Sequence, residues 1–178
     1  MERNGIMDTR NRAILFQGLV VDIEQMEVKI GEKGWHTYQI VRHPGGAAVL
    51  PLHADGTVTL ISQIRPAVDA FMLEVPAGRL DPGEEPAKCA IRELGEEAGL
   101  AAGKIESLGL LHPSPGVFDE VIHLFLASDL QMTQADPEEY EDISPIRIPL
   151  EEALQMARDG RISDGKTVAL LMRAQGRA

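Results

Sequence analysis

The sequence from Pro86 to Ala98 predicts a helix with two opposed faces. Proline suits the first turn of a helix, and Gly99 suits the position after its end. On a helical wheel of about 100° per residue, Glu93, Glu96 and Glu97 fall within one sector of about 100°. The apolar residues form a separate stripe: Ala87, Ala90, Ile91, Leu94 and Ala98. Packing of that stripe on a sheet would direct all three carboxylates to one side.

The three glutamates are unfavourable for the helix by themselves. Like charges three and four residues apart repel each other, and the helix dipole disfavours anions near the C-terminal end. A divalent cation would reverse that effect, and carboxylate oxygens suit Mg²⁺ or Mn²⁺ rather than the sulfur and imidazole sets typical of zinc. Taken alone, however, three glutamates more often form a solvated acidic face. The surrounding sequence is therefore needed to distinguish a metal site from a solvated acidic face.

Composition limits the partners of the chain. It has 178 residues with 17 Lys+Arg against 28 Asp+Glu, a formal net charge of −11. An acidic total argues against general binding to nucleic acid or to anionic membranes, and no apolar run approaches the roughly 18 residues that span a bilayer. One cysteine, Cys89, excludes an internal disulfide framework. The polar stretch from Met1 to Arg12 lacks the apolar core of a signal peptide. We therefore expect a cytoplasmic protein.

The remaining pattern predicts an α+β fold. Short strand candidates before residue 45 indicate a small antiparallel sheet, and we expect residues 1–45 to form an N-terminal β-sheet segment and residues 46–178 the main domain. In that domain Ala47–Leu52 and Val58–Ile64 predict a hairpin, and Leu150–Arg158 and Thr167–Ala174 predict two late helices. The order of elements favours an α/β/α sandwich with a mixed sheet between helices.

A spaced motif surrounds the three glutamates. Gly78, Glu84 and the run Arg92–Leu100 fit the pattern G-x5-E-x7-R-E-U-x-E-E-x-G-U, where U is aliphatic, at every specified position. This pattern is the Nudix box, and the chain resembles the Nudix hydrolases. Members of that family hydrolyse a nucleoside diphosphate linked to another moiety, so the resemblance implies the Nudix fold and a nucleoside diphosphate as the small-molecule substrate.

The resemblance also implies roles for residues of the motif. It implies that Glu93, Glu96 and Glu97 bind Mg²⁺, or Mn²⁺, together with the backbone carbonyl of Ala77, and that Glu97 belongs to the catalytic set. Glu84 and Arg92 are expected to pair and hold the loop on the helix. Gly78 and Gly99 are expected to form a tight turn and a helix stop.

A general base is expected outside the box, in an acidic segment. Residues 136–142 consist mostly of aspartate and glutamate. Without the resemblance such a run equally describes a solvated loop. In the ADP-ribose-cleaving branch of the family the base lies in a Glu-x-Glu pattern at this place, which implies Glu139 as the base and Glu141 as a second candidate, for base or metal ligand.

Two further segments resemble the ADP-ribose pyrophosphatase subfamily. Pro115 follows Gly99 at the spacing where that subfamily has a marker proline, and the segments Gln63–Pro66 and Leu73–Gly78 match its style. The resemblance implies that Arg65 contacts a substrate phosphate and that Glu74 binds the terminal ribose or the loop. The implied reaction converts ADP-ribose to AMP and ribose 5-phosphate.

The resemblance further implies a homodimer formed through the N-terminal sheet, with a partner subunit helping to hold the adenine. Trp35 is the candidate for stacking on the base, and burial at the subunit contact is an equal alternative. Three other functions stay open: a Nudix hydrolase of a sugar nucleotide, NADH or a dinucleoside polyphosphate; a catalytically silent nucleotide-binding Nudix domain; and a metal-buffering or assembly protein. The complete box argues against the silent domain.

Overall fold

The computed structural model describes residues 7–136 and 142–177, which form two compact units. The first unit comprises the described residues up to Pro44 together with Ser114–Glu120. The second comprises Gly45–Pro113 and the described residues from Val121 onward. The motif residues described above as metal-binding all belong to the second unit.

The first unit is a three-stranded antiparallel sheet. Its strands are β1 (Thr9–Gln17), β2 (Asp22–Lys29) and β3 (Trp35–Arg42), in the order β1-β2-β3. The buried carboxylate of Glu24 joins them, because it accepts hydrogen bonds from Arg12 at 2.6 Å and from Arg42 at 2.7 Å. The hydrogen bond from Arg12 and that from Arg42 hold the pKa of Glu24 below its usual value despite burial.

The second unit contains two sheets. Strands β10 (Ile143–Pro149), β5 (Thr57–Arg65) and β6 (Ala70–Glu74) form an antiparallel sheet in that order. Strands β7 (Ala77–Arg79), β4 (Gly46–Pro51), β9 (Ile122–Met132) and β8 (Leu100–Leu111) form a mixed sheet, in which β4 and β9 are parallel. The predicted hairpin is therefore reduced to one bridge, Leu52 with Val58, after which β4 and β5 enter different sheets.

Helices cover both faces of the mixed sheet. The alternating side chains of β4 explain this arrangement, since Ala48 and Leu50 lie in one apolar cluster while Ala47 and Val49 lie in another. The first cluster includes residues of α2 (Leu150–Arg158) and α3 (Gly165–Ala174), and the second includes residues of α1 (Pro86–Ala98). The predicted α+β class with an α/β/α sandwich is confirmed.

The local predictions differ mainly at the ends of elements. Helix α1 begins at Pro86 and ends at Ala98, as predicted, and α2 also has its predicted bounds. Helix α3 begins earlier than predicted, at Gly165, because Asp164 caps it by accepting a hydrogen bond from the Thr167 amide at 3.0 Å. Among the described residues, no helix is both long and apolar enough to cross a lipid bilayer.

Candidate active site

The site is built where β7 runs against α1. Gly78 lies in β7, and its missing side chain leaves the space that the Glu93 carboxylate occupies: a β-carbon on Gly78 would lie 1.7 Å from Glu93 Oε1 and 2.2 Å from its carboxyl carbon. Glycine is required here for space rather than for an unusual backbone angle. The course of the strand and the position of the glutamate therefore depend on each other.

A second carboxylate is fixed by the same strand. The Ala77 amide donates a hydrogen bond of 2.8 Å to Glu97 Oε2. Glu97 is 3% exposed and Glu93 is 9% exposed, whereas the side chain of Glu96 is 41% exposed. The apolar stripe of α1 sets this rotation of the helix, with Ala90 and Leu94 fully buried. Ile91, which was predicted to belong to the stripe, is instead 44% exposed. Two of the three carboxylates are thus held against the Ala77–Gly78 backbone, and the third faces outward.

Arg92 connects the parts of the motif. Its Nε donates to Glu84 Oε1 at 3.2 Å, and its Nη2 donates to the Arg79 carbonyl oxygen at 3.2 Å. Its Nη1 donates to Glu93 Oε1 at 2.6 Å and to Glu96 Oε2 at 3.0 Å. The hydrogen bond to Glu84 and the neighbouring carboxylates raise the pKa of Arg92, so it stays a cation and holds the loop after β7 on the helix.

The C-terminal end of α1 is hydrogen-bonded to the start of the acidic segment. Gly99 has φ 62° and donates its amide to the Gly95 carbonyl oxygen at 3.0 Å, so it ends the helix in the left-handed conformation that glycine favours. The Asp136 amide donates to the Glu96 carbonyl oxygen at 3.0 Å. Glu139 and Glu141, the two predicted bases, lie outside the described residues.

A buried ion cluster lies on the antiparallel sheet of the same unit. Arg65 donates from Nε and Nη2 to the two oxygens of Glu74, both at 2.8 Å. Lys166, at the start of α3, also donates to Glu74 and lies 3.1 Å from Asp164. Burial opposes ionisation of Glu74, which is 1% exposed, but the hydrogen bonds of Arg65 and the charge of Lys166 outweigh it and lower the pKa.

The contacts of this cluster indicate different roles for Glu74 and Arg65. Glu74 has both oxygens engaged by Arg65 and Lys166 and almost no exposed surface, which suits holding Arg65 in place rather than contact with a sugar. Arg65 keeps a side chain that is 38% exposed. Sequence reasoning missed Lys166, which reads as an ordinary surface lysine in the first turn of a helix. Its side chain is only 11% exposed, and nothing in the local pattern signals that.

Of the two remaining residues, Cys89 lies within the motif, with its Sγ 3.4 Å from the Arg79 carbonyl oxygen and 3.5 Å from Arg92 Nη2. Trp35 belongs to the first unit, where the Arg10 guanidinium lies 4.1 Å from the centre of its ring, a cation–π contact. Cys89 is a buried free thiol on α1, and burial and the nearby carboxylates raise its pKa to about 12. A thiol of that kind is chemically inert and packs as an apolar residue.

The donors fit a hard divalent cation. Glu93 and Glu97 offer carboxylate oxygens beside the backbone of Ala77, and oxygen donors of this kind are those that Mg²⁺ and Mn²⁺ prefer. The absent side chain of Gly78 leaves room for this cradle. Within residues 7–136 and 142–177, no three His, Cys, Asp or Glu side chains already form a complete metal-binding group. In the present arrangement the positive charge between Glu93 and Glu96 is that of Arg92.

Comparison with curated proteins gives relatives over most of the chain. This chain is 35% identical over 155 residues to the ADP-ribose pyrophosphatase of Bacillus subtilis (strain 168), and the match covers 86% of this chain and 84% of that protein. It is 36% identical over 156 residues to the methanol dehydrogenase activator of Bacillus methanolicus, with the same two coverages. It is 38% identical over 143 residues to the GDP-mannose pyrophosphatase of Yersinia enterocolitica, covering 75% of this chain and 74% of that protein.

Solved structures and family patterns agree with these relatives. A crystal structure described as an ADP compounds hydrolase superposes with a TM-score of 0.82 at 23% identity, and the match covers 97% of each chain, so the two share a fold. The family described as NUDIX domain matches residues 42–171, a span that contains α1, the Ala77–Gly78 strand and the Arg65–Glu74–Lys166 cluster. This protein belongs to the Nudix hydrolase family.

Proposed function

We propose that this Nudix hydrolase cleaves the pyrophosphate of ADP-ribose with Mg²⁺ or Mn²⁺, adding one water to give AMP and ribose 5-phosphate. Nudix hydrolases generally use divalent metal ions. The observation that carries the proposal is the burial of Glu93 and Glu97 against the Ala77–Gly78 backbone, a pair of oxygen donors on a rigid helix. The 35% identity to an ADP-ribose pyrophosphatase supports the choice of substrate.

The proposed roles follow from the positions of the side chains. Glu93, Glu96 and Glu97, with the Ala77 carbonyl, would hold the cation, which when bound neutralises phosphate charge and lowers the pKa of a water molecule. Arg65, held by Glu74 through Nε and Nη2, keeps a partly exposed guanidinium with which to bind a phosphate of the substrate. Gly78, Glu84, Arg92 and Gly99 position the loop and the helix.

The proposed general base is Glu139, with Glu141 as the second candidate. Support comes from the Asp136 amide, which is bonded to the Glu96 carbonyl oxygen at the acidic end of α1. Glu139 follows Asp136 by three residues along the chain. The proposal requires its carboxylate to come within hydrogen-bond reach of the attacking water, because a general base takes a proton only at that distance.

A sugar nucleotide such as GDP-mannose is the second candidate substrate, because GDP-mannose pyrophosphatases are up to 39% identical to this chain. A panel of ADP-ribose, GDP-mannose, NADH and a dinucleoside polyphosphate, each with Mg²⁺, distinguishes them. We expect the highest kcat/KM for ADP-ribose, with AMP as the nucleotide product. A higher kcat/KM for GDP-mannose would replace the proposed substrate, and binding without turnover of any compound would favour a silent domain.

We also propose a cytoplasmic homodimer formed through the N-terminal sheet segment. Ile14, Leu15 and Phe16 are adjacent residues of β1, each between 50% and 55% exposed. They form a contiguous apolar patch at a register irregularity of this edge strand, and a second copy of the chain would cover that patch. Light scattering after size exclusion should give the mass of two chains, and that of one chain for Phe16→Glu. Trp35 as a base-stacking residue stays a prediction from the sequence.

A further inference from the structure

One face of β5 carries both Arg65 and Gln63. Alternate residues of a strand share a face, so Ile61, Gln63 and Arg65 lie on the same side of the antiparallel sheet. Ile61 pairs with Glu74 on β6, which brings the carboxylate bound by Arg65 onto this face. The pKa of Arg65 is raised chiefly by its hydrogen bonds to Glu74, and further by the charge of Glu97. The Arg65 guanidinium on this face therefore lies within electrostatic range of Glu97 on α1.

The side-chain oxygen of Gln63 is buried on that face and has no hydrogen-bond partner among the described residues. Gln63 is 7% exposed, and its Oε1 accepts no hydrogen bond from any residue that the structure describes. The great majority of buried polar side-chain atoms in folded proteins have a partner, because burial removes the water that would otherwise supply one. A buried acceptor without a donor, next to Arg65, indicates that the donor arrives with a bound molecule.

The position of Gln63 restricts what that donor is. Arg65 reaches back to Glu74, which pairs with Ile61, so its guanidinium extends along the face that Gln63 shares. If Arg65 holds a phosphate, the neighbouring groups of the substrate include the pentose esterified to it, and its hydroxyls are hydrogen-bond donors. We propose that Gln63 is a specificity-determining residue whose Oε1 accepts a hydrogen bond from a pentose hydroxyl of the substrate. This inference rests on the proposed function and extends it.

The test compares ADP-ribose with two analogues, each lacking the 2-hydroxyl of one pentose. For the wild type we expect kcat/KM to fall about 10- to 100-fold for one of the analogues, because the buried oxygen then stays unpaired. Gln63→Met keeps the length of the side chain without the acceptor. For this variant the kcat/KM for ADP-ribose divided by that for the analogue should lie within about 3-fold of unity. Gln131→Met, at an exposed glutamine of β9, is the matched control and should keep the wild-type ratio.

Stability separates this role from a structural one. Gln63→Met should have an unchanged or higher Tm, because it removes an unpaired buried oxygen, and Gln63→Glu, which keeps an acceptor, should retain the discrimination. The proposal is overturned if the wild type has the same kcat/KM for all three compounds, or if Gln63→Met keeps the wild-type discrimination. It is also overturned if the Tm of Gln63→Met falls and its activity drops equally on every compound. Each of these results would assign the partner of the oxygen to a water or a protein group. If ADP-ribose is not cleaved and GDP-mannose is, the proposed function fails, and GDP-mannose with its 2′-deoxy analogue tests Gln63 in the same way.

Discussion

Gly78 and Glu93 occupy mutually exclusive space: the carboxylate of Glu93 fills the position that a side chain on residue 78 would take, with Oε1 1.7 Å from the site of a β-carbon. The glycine of the motif therefore belongs to the active site as much as the glutamate does. Arg92 donates to the same oxygen at 2.6 Å and thereby fixes the carboxylate.

Gly78→Ala should displace Glu93 while leaving the rest of α1 packed. Because a misplacement of about 1 Å in a catalytic site can cost about 100-fold in rate, we expect kcat to fall by roughly that factor. Gly95→Ala on the same helix is the control, since its β-carbon would meet no atom closer than 3.9 Å. It should keep full activity with a slightly higher Tm, as alanine is the better helix former. Equal losses in the two variants would contradict the steric account.

Glu97→Gln should abolish most activity and preserve the fold. Glutamine keeps an oxygen that can accept the hydrogen bond of the Ala77 amide, but it removes the negative charge offered to a divalent cation. Changes behind a metal ligand cost about 10- to 100-fold, so loss of a ligand charge should lower kcat/KM by at least about 100-fold. The far-UV circular dichroism should not change. Glu85→Gln, whose side chain is 72% exposed beside the same helix, should retain wild-type activity.

Lys166→Met should destabilise the protein through Glu74. The variant leaves a 1%-exposed carboxylate with one cationic partner, Arg65, instead of two. Loss of a charged partner from a buried group costs about 1–3 kcal/mol, so urea denaturation should show a loss in that range. Lys88→Met, at a side chain 72% exposed, should change the free energy of unfolding by less than about 0.5 kcal/mol. If both variants unfold at the same urea concentration, Lys166 does not stabilise Glu74.

Glu74 gives the stability of the protein a defined pH dependence. Its pKa in the fold lies below its ordinary value of 4.5, so its charged form is favoured by folding. That stabilisation is complete above pH 4.5 and is lost as the pH falls through the lower pKa of the folded state. Near pH 7, Glu74→Gln should be less stable than the wild type by about 3 kcal/mol, the low end for a buried ion pair because Arg65 is partly solvated. The difference should shrink below pH 4.5, and a difference that grows on acidification would contradict this account.

Local signals in the sequence predicted the parts that depend on neighbours along the chain. Pro86, Gly99 and the apolar stripe between them determine the bounds and the rotation of α1, and with that the direction of its glutamates. The tight turn predicted at Gly78 was wrong, because Gly78 lies in the strand Ala77–Arg79 and has no positive φ. That strand exists because Ala77 and Gly78 pair with Ala48 and Ala47 of β4, a contact between segments that are separated in the chain by β5 and β6.

The residues around Arg65 could not be predicted from the sequence because they are brought together by long-range packing. The burial of Lys166 and the missing partner of Gln63 arise where α3 and β5 meet other elements, and neither position carries a periodic signal. Long-range pairing also explains why the predicted β4–β5 hairpin was wrong except for the bridge between Leu52 and Val58. Strand β4 pairs with β9, which follows much later in the chain, rather than with the adjacent β5. Sequence patterns indicate which residues a helix or strand presents, but not which strand lies next to it.

The metal dependence of the reaction can be measured by following ADP-ribose and its products with the purified protein, first with a chelator and then with Mg²⁺ restored. We expect no cleavage in the chelator, and with Mg²⁺ one AMP and one ribose 5-phosphate for each ADP-ribose consumed. Cleavage that is unaffected by the chelator, or intact ADP-ribose in the presence of Mg²⁺, would contradict the assignment of Glu93, Glu96 and Glu97 as the metal-binding centre of an ADP-ribose hydrolase.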